Sequence, residues 1–418
     1  MNRIILVGNG FDLAHGLKTR YEDFINWYWE NWGQRLRSFG GKHISDGLCS
    51  FVLKDEVGLA GWYLVWSHHY CISPFKKYTN RQLLETAIND STVCDYKIHS
   101  VFLSKICKSI ETKGWVDIEA DYYAMLVEYK GKKYELEQLN KDFTIIKNLL
   151  IEFLNEIQEN HINEELISSD IKNAILLPFS KKEIAVSSEQ VWRSFVCSRV
   201  NSDKQFYSLL LKDYEATSID NNTLEQIGHK EYSALLNDGK LDDSRAKQLL
   251  LPDRIMLLNF NYTRTADLYL PNNPRFIVNH IHGELSSPES VIFGYGDESD
   301  DEYKLLVKQN DNEYLKYTKT SRYLEADKYR QLLTFINSAP YQVCIMGHSC
   351  GLSDKTMLNT LFEHKNCVSI KPYYYVNKEG RDNYLDMIQN ISRSFTNPQL
   401  MRDRVVNKNS CEPLPQLS

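Results

Sequence analysis

The chain of 418 residues is longer than one hydrophobic core ordinarily fills, so two structural units, or one core with a large insertion, are expected. With 25% charged residues, 26 Tyr and 17 Phe, the composition describes a folded chain and excludes a disordered one. The formal net charge of -6 argues against a general nucleic-acid coat, although a local basic patch remains compatible with it.

The nine cysteines contain no C-x-x-C pair, and several sit in apolar segments. This pattern predicts reduced, buried thiols in a cytoplasmic protein and offers no structural zinc site. The apolar run Ile4-Ile5-Leu6-Val7 is too short for a signal peptide or a membrane span, and no later stretch reaches spanning length. A soluble protein without a membrane partner and without direct nucleic-acid binding is expected.

In chain order, Arg3 to Val7 reads as a strand buried on both faces, because it is rich in β-branched residues and lacks alternation. Gly8 and Gly10 follow. Thr19 and Glu22 then have capping-box spacing before a helix over Tyr21 to Trp32. From Gln34 to Gln248 the pattern is mostly helical, with polar breaks at Gly40-Gly41, Lys130 to Lys133 and Asn221-Asn222. Its clearest helix is Asp142 to Asn160, where Phe143, Ile146, Leu150, Phe153, Leu154 and Ile157 recur at core-facing steps. Strand-like runs return at Ile255 to Leu258, Phe276 to Ile281, Val291 to Phe293, Val343 to Met346 and Val368 to Val376. The prediction is an α/β, Rossmann-like, mostly parallel sheet interrupted by a large, mainly helical insertion. The expected boundaries are 1–33 and 251–396 for the α/β core, 34–250 for the insertion and 397–418 for a mobile tail.

Ligands of open parallel sheets collect at the carboxyl ends of strands, so the residues that follow each strand are the candidates. After the first strand comes Gly8-Asn9-Gly10-Phe11-Asp12. Its glycines allow close backbone approach and would leave amides free for phosphate. The next glycine is Gly16, so the dehydrogenase fingerprint is absent and a plain tight turn stays open. Asp12 would repel phosphate unless it bonds ribose hydroxyls, caps the helix or takes part in chemistry. In Leu257 to Thr263, Asn259 and Asn261 share a face by strand periodicity and could orient a sugar hydroxyl or a water, or simply build a turn. In Asn279 to Leu285, His280 and His282 share a face, and a histidine at a strand end can act as a base. No carboxylate or cysteine spacing nearby completes a metal set. In Met346 to Asp354, small residues at Gly347, Ser349 and Gly351 leave room for a ligand, while Ser353 and Asp354 start a helix. Asp117 and Glu119 form a further acidic pair, with Asp117 read as a helix start and Glu119 kept as a candidate.

Taken together, GNGFDLAHGLKTRYEDF, WVDIE, LNFNYT, HIHGEL, FGYGDE and GHSCGLSD resemble the AbiH family of bacterial abortive-infection proteins, in motif order along the whole chain. The same order is similar to the sirtuin-like NAD-binding domains of other phage-defence proteins. That resemblance implies a phosphate turn at Gly8, Asn9, Gly10 and Phe11. It also implies a catalytic asparagine at Asn261, a catalytic histidine at His282, and a nucleotide-contacting turn at Gly347, His348 and Ser349. NAD would be substrate or ligand, and no metal is expected. Thr263 stands where the sirtuin-like pattern has aspartate, and by charge inventory alone Asp12 is a candidate to supply the missing carboxylate. The implied function is an NAD-cleaving effector, a hydrolase of the NAD glycohydrolase kind, expected as a homo-oligomer that answers a phage-derived trigger. Two alternatives are a non-catalytic nucleotide sensor acting through a partner, and a metal-dependent nuclease built on Asp12, Asp117, Glu119 and His282.

Overall fold

A computed structural model describes residues 1–38, 43–53, 94–113, 116–202, 249–269, 273–298 and 300–417. The predicted breaks at Gly40-Gly41 and Asn221-Asn222, and Trp115 of the WVDIE motif, lie outside the described residues. Among these residues the strands in chain order are β1 (Asn2–Val7), β2 (His43–Ser45), β3 (Cys49–Leu53), β4 (Cys94–Ile98), β5 (Ile255–Asn259), β6 (Phe276–His280), β7 (Tyr341–Met346) and β8 (Cys367–Tyr373). They form one five-stranded sheet, β6-β5-β1-β7-β8, and one three-stranded sheet, β2-β3-β4.

The chain divides into two compact units, which do not follow the predicted boundaries. The first comprises Met1–Leu17, Ile162–Glu284 and Tyr323–Ser418. All its strand pairs run parallel, so the predicted split sheet is present: β1 from the N-terminus lies between β5 and β7 from the second half of the chain. Counted along this unit, the strand order is that of a Rossmann sheet, and the direction of winding reverses between β1 and β7.

Both faces of the sheet are covered, which explains the uninterrupted apolar runs of its strands. One face buries Ile4, Leu6, Val343 and Ile345 against helices Lys328–Ser338 and Lys355–Glu363 through Leu332, Phe335, Leu358 and Leu361. The other buries Ile5, Val7, Leu257 and Met346 against Phe11, Ile171, Ile175 and Leu414. Each such side chain, fully withdrawn from water, contributes about 1.5–3 kcal/mol.

The C-terminal segment is not a mobile tail. Helix Pro398–Arg404 is capped by Asn397, which accepts from the amides of Gln399 and Leu400, and Pro398 occupies its first turn. Beyond it, Val406 N donates to Ile370 O at 2.9 Å and Leu414 N to Tyr374 O at 2.8 Å. Val406, Cys411 and Leu414 are buried. The polar composition concealed these anchors, which cover the exposed edge of β8.

The second unit comprises Lys18–His161 and Leu285–Arg322. Its helices include Tyr21–Ser38, Val101–Lys113, Ile118–Glu128 and Lys133–His161. The last contains the predicted amphipathic helix, with Phe143, Ile146, Leu150, Phe153, Leu154 and Ile157 buried as expected. At the start of Tyr21–Ser38 the reaching acid is Asp23, which accepts from Arg20 N at 3.0 Å, where the sequence pointed to Glu22. The antiparallel sheet β2-β3-β4 adds a strand component to a region predicted as mainly helical. Val291 to Phe293 is buried but is not a strand; Phe293 stacks on Phe143 with ring centroids 4.8 Å apart. A run of three apolar residues secures burial without securing a pairing partner.

Candidate functional site

The turns after β1 and β7 meet at the point where the winding reverses. Gly10 N donates to Gly347 O at 2.8 Å, Gly8 N to Met346 O at 3.4 Å, and Phe11 N to Gly8 O at 2.8 Å. These amides are therefore engaged within the protein, where the sequence suggested amides free for phosphate. The glycines serve a different need. A Cβ on Gly347 would lie 2.0 Å from Phe11 N, and one on Gly8 would lie 2.5 Å from the Cα of His348. Gly347 also has φ +80, a conformation that side chains with a Cβ rarely adopt. Glycine is thus required for one backbone to pack on another. Asn9 and Ser349 remain exposed, and Gly10 and Gly347 half-buried, at this junction.

The turn after β5 joins the same place. Asn261 Nδ2 donates to Gly8 O at 3.0 Å, while its own backbone N donates to Asn259 Oδ1 at 3.0 Å. Asn259 is thus a turn builder, and its Nδ2 also donates to Thr263 O at 2.9 Å. Thr263 Oγ1 in turn donates to Asp12 Oδ2 at 2.7 Å. Asp12 is 1% exposed, and its Oδ1 is buried without a hydrogen-bond partner. Burial pushes its carboxyl up to about 6, against the opposing influence of Thr263, Thr265 and Asn261.

The two histidines of HIHGEL serve separate clusters. His280, the last residue of β6, receives Asn259 Nδ2 on its Nδ1 at 3.1 Å and directs Nε2 at Asp267 Oδ1 at 3.1 Å. His282 lies beyond the strand end, so strand periodicity no longer governs its direction. Its Nδ1 donates to Phe260 O at 3.2 Å, and its Nε2 lies 3.0 Å from the Tyr323 hydroxyl and 3.3 Å from Asp354 Oδ1. The other oxygen of Asp354 is 3.4 Å from His348 Nε2. The Phe260 ring packs against both imidazoles, with centroids at 5.2 Å from His282 and 4.1 Å from His348.

Asp354 occupies the N-cap position of helix Lys355–Glu363, as the sequence suggested, yet its side chain makes no capping hydrogen bond. An unused aspartate cap forgoes about 1 kcal/mol. The carboxylate is directed instead between two histidines whose side chains are only 5% and 4% exposed. Asp354 as a histidine partner, together with Phe260 and Tyr323, was missed from sequence. The one available signal was an acid eight residues after β7, and a helix start explained it sufficiently.

Asp117 and Glu119 both have partners within the second unit. Asp117 caps helix Ile118–Glu128 by accepting from Ala120 N at 3.0 Å. Glu119 accepts from Gly294 N at 2.8 Å and pairs with buried Lys319 at 3.1 Å. The FGYGDE motif contributes Tyr295, which stacks on Tyr123 at 3.8 Å. Among the described residues, no group of three His, Cys, Asp or Glu side chains could hold a metal ion, nor is any helix long and apolar enough to cross a membrane.

A Rossmann-ordered α/β unit whose motif residues gather at the carboxyl edge of its sheet defines the class. Residues 4–375 match the family model described as bacteriophage abortive infection AbiH. The chain belongs to this family, and is thereby a phage-defence protein of the abortive-infection kind. Comparison with curated proteins and with solved structures gave no match.

Proposed function

We propose that this protein binds NAD, or a closely related nucleotide, at the junction of the turns after β1, β5 and β7 and hydrolyses its bond to nicotinamide. The observation that carries the reading is convergence: Gly8, Asp12, Asn261, Thr263 and Gly347 come from separate strand ends and are joined by direct contacts there. The reversal point of a Rossmann sheet is where such ligands lie. In this reading Gly8, Asn9, Gly10 and Phe11 line one side of the nucleotide and Gly347, His348 and Ser349 the other.

The C1′–N bond to nicotinamide breaks, and the nitrogen takes the bonding electrons. A water oxygen then bonds to C1′, and its proton passes to Nε2 of His282, whose Nδ1 already donates to Phe260 O. Asn261 orients the attack. Positive charge builds on the ribose ring in the transition state, and the buried Asp12 carboxylate stabilises it without reorganising. The hydrogen bond from Thr263 to Asp12 supports a catalytic over a purely sensing role. Asp12 lies beside Thr263, the residue at which the resemblance to the sirtuin-like pattern leads one to expect an acid.

Purified protein incubated with NAD, in the presence of the phage-derived trigger where one is required, should release nicotinamide. His282→Ala should lower that release by about 100-fold or more. Tight NAD binding with no release would leave a sensor, and undiminished release by His282→Ala would remove the assigned base.

A further inference from the structure

The two histidines that share Asp354 are not equivalent. His348 Nδ1 accepts a hydrogen bond from the backbone amide of Cys350 at 3.0 Å. An amide can only donate, so His348 Nδ1 carries no proton and its one proton sits on Nε2, facing Asp354 Oδ2. Cys350 has φ +54, unusual for a residue with a side chain, and that bond helps hold it there. Protonating His348 would break this bond inside a buried turn. His282 has the opposite arrangement. The Phe260 carbonyl can only accept, so the proton of neutral His282 is on Nδ1 and its lone pair is on Nε2, facing Tyr323 Oη and Asp354 Oδ1.

We infer that Asp354 is a positioning residue that directs proton uptake onto Nε2 of His282, while His348 presents its Nε2–H to the other carboxylate oxygen. Among the described residues, the groups facing the His282 ring include Asp354 from the turn before helix Lys355–Glu363, the Tyr323 hydroxyl, the Tyr262 ring at 6.4 Å, and the ring and carbonyl of Phe260. Asp354 is the acidic group among these, and a carboxylate at this distance favours the charged imidazole. Its place in the turnover rests on the hydrolase reading above: the base that takes a proton from water would be held charged until the product leaves. The protonation pattern itself does not depend on that reading.

The test is long-range proton–nitrogen NMR of the full chain carrying isotope-labelled histidine, recorded without nucleotide, with His282→Gln and His348→Gln used for assignment. His282 should take up its proton at Nε2, and the neutral ring of His348 should be the Nε2–H tautomer. Asp354→Asn should lower the proton affinity of His282 about tenfold or more and leave the His348 form unchanged. His348→Gln should leave His282 titrating at Nε2, which keeps the inference testable if Asp354→Asn does not fold. A neutral His348 with its proton on Nδ1, or a His282 titration unmoved in folded Asp354→Asn, would overturn it. If the variants behave as stated but nicotinamide is not released from NAD, the proposed function fails and this inference stands. If nicotinamide is released, the pH profile of release should move with the His282 titration in Asp354→Asn.

Discussion

The hydroxyl of Thr263 donates to Asp12 at 2.7 Å across 251 residues of sequence, so a threonine after β5 and an aspartate after β1 act as one buried acid site. The carboxylate comes from the first strand end and its hydrogen-bond partner from the second.

This site makes stability depend on pH. Burial raises the Asp12 carboxyl from its ordinary 3.8 to about 6, so the folded state holds the proton more tightly than the unfolded state does. Its contribution is fully present below about pH 4 and is lost as pH rises through 6. The loss amounts to roughly 3 kcal/mol. Asp12→Asn should therefore be the more stable protein at neutral pH, by about 1–3 kcal/mol, and should lose that advantage in acid. Thermal melts of both proteins at the two pH values check this, and the same variant should lose nicotinamide release.

Two glycines separate backbone strain from crowding. Gly16 and Gly347 both have positive φ, yet a Cβ on Gly16 meets nothing within 4 Å, whereas one on Gly347 meets Phe11 N at 2.0 Å. Gly16→Ala should cost only the strain, about 1–2 kcal/mol. Gly347→Ala should cost about 2 kcal/mol more, because the turns after β1 and β7 must separate. Urea unfolding of the two variants reads the difference.

In the second unit, Lys319→Met would strand the buried Glu119 carboxylate. A loss of about 3–5 kcal/mol is expected. Adding Glu119→Gln should recover part of it, since the buried charge disappears. Chemical denaturation of the single and double variants gives the comparison.

Removing residues 397–418 should expose the edge of β8 and the apolar surface that Val406, Cys411 and Leu414 cover. The shortened chain is expected to aggregate at concentrations where the full chain stays dispersed, as sedimentation will show.

The sheet was legible because β1, β5 and β7 are buried along their whole length. Such strands appear in sequence as unbroken apolar runs ended by glycine or asparagine. Asp12 stood out for its charge beside a glycine turn, and Asn261, His282 and His348 for their places after strands. Directions after the strand ends were not legible. His280 and His282 read as one face by periodicity, but the strand stops at His280, and the chain beyond it turns His282 toward Tyr323 and Asp354. The glycines were read as room for phosphate, although the need they meet is backbone packing between turns more than 330 residues apart, a relationship that no local pattern records. The same holds for Leu285–Arg322, whose membership of the second unit depends on contacts such as Lys319 with Glu119.

The most direct test of the central claim is a crystal structure of His282→Ala soaked with NAD. Nucleotide density is expected at the carboxyl ends of β1 and β7, with the nicotinamide ribose beside Asn261 and Asp12. Nucleotide bound elsewhere on the chain, or none at saturating NAD, would contradict it.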